Sequence, residues 1–79
     1  MKFNRDIFLT APLWANWATV DRWGHIWVWE FEPQLSECGD YWNTIDPATF
    51  YIRIGRLLDD AFLKPKRIKR PKTTKSPLN

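Results

Sequence analysis

The tetrapeptide Asp21-Arg22-Trp23-Gly24 interrupts a run in which aromatic and β-branched residues alternate, and no other feature restricts the fold so tightly. A type I turn followed by a glycine in the left-handed region closes the usual three-residue hairpin loop, and Gly24 supplies that last position. With Arg22-Trp23-Gly24 as the loop, Asp21 faces His25. The register then runs outward as Val20 with Ile26, Thr19 with Trp27, Ala18 with Val28 and Trp17 with Trp29. Ala15 falls opposite Phe31. Trp14 to Pro33 is therefore predicted as one antiparallel β-hairpin, and it holds five of the six tryptophans.

Side chains alternate across a strand, so this register gathers Trp17, Trp27, Trp29 and Phe31 on one face with Ala15 and Thr19. The opposite face is Ala18, Val20, Ile26 and Val28, fading into Asn16, Glu30 and Glu32. Both faces are apolar near the turn, which a lone hairpin with water on one side does not need. A third strand and a short helix are expected to cover one of them. A partner or a second copy of the chain, in a homodimer, is the expected cover for the other.

A chain of 79 residues makes one domain with little margin, because so short a chain buries only about 60% of the surface its unfolded form exposes. Dense packing of large rings is the available remedy, and aromatic residues make up 16% of the sequence. The single cysteine, Cys38, rules out an internal disulfide and fits a reducing compartment. No apolar run approaches the ~18 residues of a membrane span, and the opening MKFNRDIFLTAP is too short and interrupted for a secretory signal. These features predict a cytoplasmic protein with no membrane contact.

The net charge of +3 conceals two unlike parts. Residues 1–63 carry five cations against nine acids; residues 64–79 carry seven cations and no acid. The expected organisation is a compact hairpin-based domain over 1–63 and a flexible Pro/Lys-rich tail over 64–79, disordered because its like charges repel and it has little to bury. Within the domain, residues 1–13 read as an extended or one-turn lead-in ended by Pro12, with Phe8 and Leu9 packing over the aromatic face. Pro33 ends the second hairpin strand, and Tyr41 and Trp42 read as an anchor pinning a polar connection to the core. Thr49–Ile54 reads as a third strand pairing with the second, directing Phe50, Ile52 and Ile54 inward and Tyr51 and Arg53 outward. Residues 56–63 space Leu58 and Phe62 four apart, as two turns of helix would. The expected fold is thus α+β: a three-stranded antiparallel meander, one short C-terminal helix and a disordered basic tail.

Catalytic chemistry finds few residues to work with. Hydrolytic triads need a base, and the one histidine, His25, sits at the end of a hairpin turn beside Asp21. Cys38 with His25 lacks a visible oxyanion donor. One Cys and one His do not close a tetrahedral metal set, no calcium-loop spacing occurs, and Gly24, Gly39 and Gly55 stand too far apart for a phosphate loop. The pairs Glu30/Glu32 and Asp59/Asp60 read as solvated charge. The expectation is a protein that is not an enzyme and uses neither cofactor nor metal.

Binding is the remaining class, and two surfaces offer it. The first is Trp23, an apolar residue at an exposed turn tip, with Arg22, Trp27, Trp29 and Tyr51 as further contacts for a protein partner. The second is the run Lys64, Lys66, Arg67, Lys69, Arg70, Lys72 and Lys75, able to neutralise several phosphates of a nucleic acid. Rings that stack bases sit on the sheet in single-strand binders. Trp27, Trp29 and Tyr51 suit that role, although the acidic body opposes phosphates there.

Trp17-Ala18-Thr19-Val20-Asp21, Gly24, Ile26-Trp27-Val28-Trp29-Glu30, Pro33 and Trp42 together resemble a set of very short bacteriophage and prophage proteins, mostly of unassigned function. The likeness covers about a third of the chain. Those proteins commonly carry polar residues in the turn where this chain has Trp23. The resemblance implies a small accessory protein acting in the cytoplasm of a bacterial host by binding, and in some cases inhibiting, a host or phage protein. It supplies no catalytic residues.

Overall fold

The computed structural model describes residues 2–57 and 64–72. Its centre is the predicted hairpin, formed by β1 (Trp17–Val20) and β2 (His25–Trp29). The pairing is Trp17 with Trp29, Ala18 with Val28, Thr19 with Trp27 and Val20 with Ile26, as the turn chemistry requires. Gly24 takes φ 84°, a conformation that costs an L-residue about 1–2 kcal/mol, and its N–H donates to the Asp21 carbonyl at 3.1 Å. Asp21 braces the loop from within. Its Oδ1 accepts the N–H of Trp23 and of His25, both at 3.0 Å.

Two further strands extend the hairpin into a four-stranded antiparallel sheet. After the short strands β3 (Gln34–Leu35) and β4 (Trp42–Asn43), which pair with each other as a separate ribbon, β5 (Tyr51–Arg56) lies against β2. The last strand, β6 (Lys66–Lys69), lies against β1, so the order is β5-β2-β1-β6. The third strand thus pairs as expected but runs two residues later, with a bulge between Ile26 and Trp27.

The α+β expectation is corrected by this arrangement. Among the described residues the fold is six strands in two antiparallel sheets, and its one helical element is a 3-10 turn, Arg5–Leu9. The helix expected over 56–63 falls largely outside the described residues, and Arg56 belongs to β5. The start of the tail is not a free chain either: Ala18 pairs with Ile68, and Arg70 N–H donates to the Asn16 carbonyl at 2.7 Å. Repulsion among its cations is offset where Arg67, Lys69 and Arg70 meet rings and carbonyls instead of one another. Lys75 lies outside the described residues.

Arg70 shows the offset most clearly. Its Nε donates to the Ala15 carbonyl at 2.6 Å and Nη2 to the Pro12 carbonyl at 2.9 Å, while its guanidinium carbon lies 4.9 Å from the Phe8 ring centroid. One fork thus ties the C-terminal strand to the N-terminal segment. That segment covers the aliphatic face of the sheet, where Ile7, Phe8 and Ala15 pack with Ala18, Val20, Ile26 and Val28, and Ile54 and Ile68 adjoin. Burying each of the larger side chains, Ile7, Phe8, Val20, Ile26 and Val28, contributes about 1.5–3 kcal/mol. Phe8 therefore joins the aliphatic side instead of the aromatic one, Ala15 goes with it, and Leu9 points to solvent. The chain covers this face with its own N-terminus, where a third strand and a helix were expected.

Candidate functional site

The other face of the sheet carries the rings. Trp29 is 4% exposed, and its indole Nε1 donates to the hydroxyl of Thr19, itself fully buried, at 2.9 Å. Tyr51 stacks on Trp29 with centroids 4.9 Å apart and planes at 23°, and Trp27 lies 6.3 Å from Trp29 and 5.9 Å from Tyr51. Such tilted and stacked pairs are worth about 0.5–1.5 kcal/mol each beyond the area they bury. Burial makes Trp29 a support; Trp27, half-buried, and Tyr51, 49% exposed, form the accessible surface.

The β3–β4 ribbon closes over one end of this surface. Gly39, at φ 79°, turns the chain so that the Asp40 carbonyl accepts the Arg22 N–H at 2.9 Å and its carboxylate meets the Arg22 guanidinium at 3.2 Å. Trp42 then reaches back, its Nε1 donating to the Val20 carbonyl at 3.1 Å, so it anchors the connection as the sequence suggested, whereas Tyr41, expected to share that role, is 43% exposed. Between ribbon and sheet lies a cleft of about 290 Å³, floored by Trp27, Trp29 and Tyr51 and walled by residues 41–44, with Asp21 at its base. So part of the second apolar face is covered by the chain itself.

Cations border the rings along both edge strands. Opposed residues in an antiparallel pair share a face, and Arg67 and Lys69 of β6 oppose Thr19 and Trp17. The Arg67 guanidinium lies 5.3 Å from the Trp17 ring and 5.5 Å from that of Trp42, and the Lys69 ammonium 5.7 Å from Trp17. On the far edge, Arg53 opposes Trp27 and Arg56 opposes His25, and both are exposed. Arg67 is partly committed, to the Glu32 carboxylate at 3.2 Å and the Pro33 carbonyl at 2.9 Å. Asp21, which lines the cleft, is buried and held by backbone N–H groups.

The residues nominated from sequence thus divide. Trp27, Trp29, Tyr51, Arg67 and Lys69 come together on one face. Trp23 and Arg22 stand apart at the turn, where Trp23 is 52% exposed. Lys66, opposite Val20, belongs to the aliphatic side, Lys64 and Lys72 are exposed beyond the strand ends, and the Arg70 fork is spent on carbonyls. Trp17, Trp42, Arg53 and Arg56 were not nominated, although the hairpin register already put Trp17 on the ring face and Arg53 read as facing outward with Tyr51; the places of Trp42 and Arg56 depend on pairings that only the folded sheet reveals. Cys38 is exposed with its Sγ 3.3 Å from the Ser36 hydroxyl, while His25 Nδ1 lies 3.5 Å from Asp21.

No helix among the described residues is long and apolar enough to cross a membrane. No family model, curated protein or solved structure matches the chain.

Proposed function

We propose that this protein is a non-enzymatic binding module that holds single-stranded nucleic acid on its aromatic face. The observation that carries this reading is the placing of Arg53 and Arg56 on one edge strand and Arg67 and Lys69 on the other, with Trp17 and Trp27 on the strands between them and Tyr51 beside Arg53 on its own edge strand. Proteins that bind single strands combine a cationic track for the phosphates with rings on which successive bases stack, each base contributing about 1–3 kcal/mol. The acidic balance of residues 1–63 weighs less against this surface than the sequence suggests, because Glu32 is paired with Arg67 and Asp21 is buried. The resemblance to short phage proteins supports reading it as an accessory protein at work in a bacterial host's cytoplasm.

Salt dependence tests the reading. Single strands release counterions with a slope of about −0.7 per phosphate neutralised, so the three track cations that pair with no carboxylate among the described residues, Arg53, Arg56 and Lys69, lower affinity about 20-fold between 50 and 200 mM salt. Fluorescence anisotropy of a labelled single strand should show that fall, and replacing Arg53 and Lys69 with Gln should flatten it for every sequence. Affinity indifferent to salt, or a double variant that binds like the parent, contradicts the proposal. Deleting residues 64–79 is a poor substitute, because it removes β6 and the Arg70 fork together.

A second reading rests on a separate observation, the half-exposed Trp23 at a turn clamped by Asp21 and Asp40. A rigid indole at a tip is the usual anchor of a protein contact. This reading predicts that one protein from nuclease-treated bacterial lysate is retained by the parent and lost with Trp23→Ala. A retained protein that is indifferent to Trp23 excludes the tip as the contact.

A further inference from the structure

The cleft between the sheet and the β3–β4 ribbon differs from the open rings beside it, since its walls are fixed before anything binds. Trp29 is pinned through Nε1 to Thr19 and Trp42 through Nε1 to the Val20 carbonyl. Both indole donors are consumed by these bonds, so each ring offers the cleft its face and none of its hydrogen-bonding capacity. A preformed wall spares the ligand the cost of ordering side chains. At about 290 Å³ the cleft lies at the small end of ligand pockets, which begin near 300 Å³, and it suits one flat ring system better than a folded peptide element.

Its polar groups are unequal. The Thr44 hydroxyl donates to the Asp46 carbonyl and accepts from the Thr49 hydroxyl and the Asp46 N–H, and the Asp21 carboxylate is held by the Trp23 and His25 N–H groups. Asn43 is exposed, borders both this cleft and a smaller one lined by Gln34, Ser36 and Ile45, and among the described residues its carboxamide has no hydrogen-bonding partner. A carboxamide presents a donor beside an acceptor, the pattern that matches a base edge. An organic cation is a poorer fit, because the Arg67 guanidinium already occupies one face of Trp42 at the rim. A paired base is excluded by reach, since its edge and both faces are taken up in the duplex.

Building on the proposal above, we infer that this cleft receives one unpaired base of the bound strand, stacked against the Trp27 and Tyr51 rings, and that Asn43 reads its edge. The strand's phosphates leave the cleft past Arg67 and Lys69. The protein then has a base preference at one position and indifference along the rest of the strand.

Anisotropy with four homopolymer octamers at a single salt concentration tests this on the full chain. The expected result is at least a fivefold spread between best and worst base, narrowing to under twofold in Asn43→Ala while the weakest octamer keeps its affinity. Tyr41→Ala, a second exposed wall residue, should lower the preferred octamer selectively. Equal affinity for all four octamers, or an Asn43→Ala protein that discriminates as the parent does, overturns the base pocket while leaving the salt-dependent face intact. Binding to none of the four overturns the face as well. Competition by the matching nucleoside monophosphate at concentrations equal to the octamer assigns the cleft to a free nucleotide and overturns the strand assignment.

Discussion

Replacing Arg70 with Met should unfold the protein far more easily than any surface change, although the residue belongs to a run that reads as a solvated tail. The side chain is half-buried and its fork makes two good bonds, to the carbonyls of Ala15 at 2.6 Å and Pro12 at 2.9 Å, with a third contact to Phe8 at the 3.5 Å limit. Hydrogen bonds to a charged group contribute about 1.5–3 kcal/mol each. Methionine still packs on the Phe8 ring, and water reaches part of the site, so the net loss is put at about 2–4 kcal/mol, counting two bonds and partial resolvation. A chain of this length has roughly 4–12 kcal/mol of stability at 0.05–0.15 per residue, so the variant sits near the margin. Urea unfolding followed by tryptophan fluorescence measures it: with a slope near 1 kcal/mol per molar, the midpoint drops by about 2 M or more. Arg70→Lys keeps the charge but cannot span two carbonyls, and should fall between parent and Met. A midpoint within about 0.3 M of the parent in both variants, well under the expected shift, would refute the claim that this fork fastens the C-terminal strand.

Gly24→Ala forces a Cβ into φ 84° and should cost about 1–2 kcal/mol, read as a lowered Tm without altered binding. Trp29→Phe leaves the buried Thr19 hydroxyl without its donor and should cost about 1–3 kcal/mol in chemical unfolding. Asp40→Ala breaks a half-exposed pair with Arg22 and should cost under about 1 kcal/mol, so a larger loss would give the ribbon a heavier structural role. Trp23→Ala should change stability by no more than about 0.5 kcal/mol; an unfolded variant would make the tip part of the core and remove it as a contact.

The hairpin was legible because two independent signals agree on it. Gly24 fixes the turn, and the alternation of Val20, Ile26 and Val28 against Trp27 and Trp29 leaves one register that sorts aliphatic from aromatic. β6 was illegible for an equally physical reason. Ile68 is its one apolar residue, flanked by Lys66, Arg67 and Lys69, and composition reads that run as repulsion. What holds the strand is cross-strand: Trp17 beneath Arg67 and Lys69, and carbonyls of the N-terminal segment around Arg70. None of these partners lies within 45 positions of its cation, so no local window contains them. The one available hint was the spacing of Arg67 and Lys69 about Ile68, an alternation that places two cations on one face. The same blindness applied to the site. Trp27, Trp29 and Tyr51 were named from the hairpin and third strand, but Trp42 and Arg56 enter only through the ribbon's fold-back and the bulge in β2–β5 pairing.

Amide and indole chemical-shift mapping of the labelled full chain with a short single-stranded oligonucleotide shows which surface the strand occupies. The account predicts that the largest changes fall on the Trp27 and Trp17 indoles, the Asn43 carboxamide, and the backbone of Arg53 and Lys69, with the Trp23 indole unmoved. Changes confined to Arg22 and Trp23, or to the C-terminal run with the aromatic face silent, would contradict it.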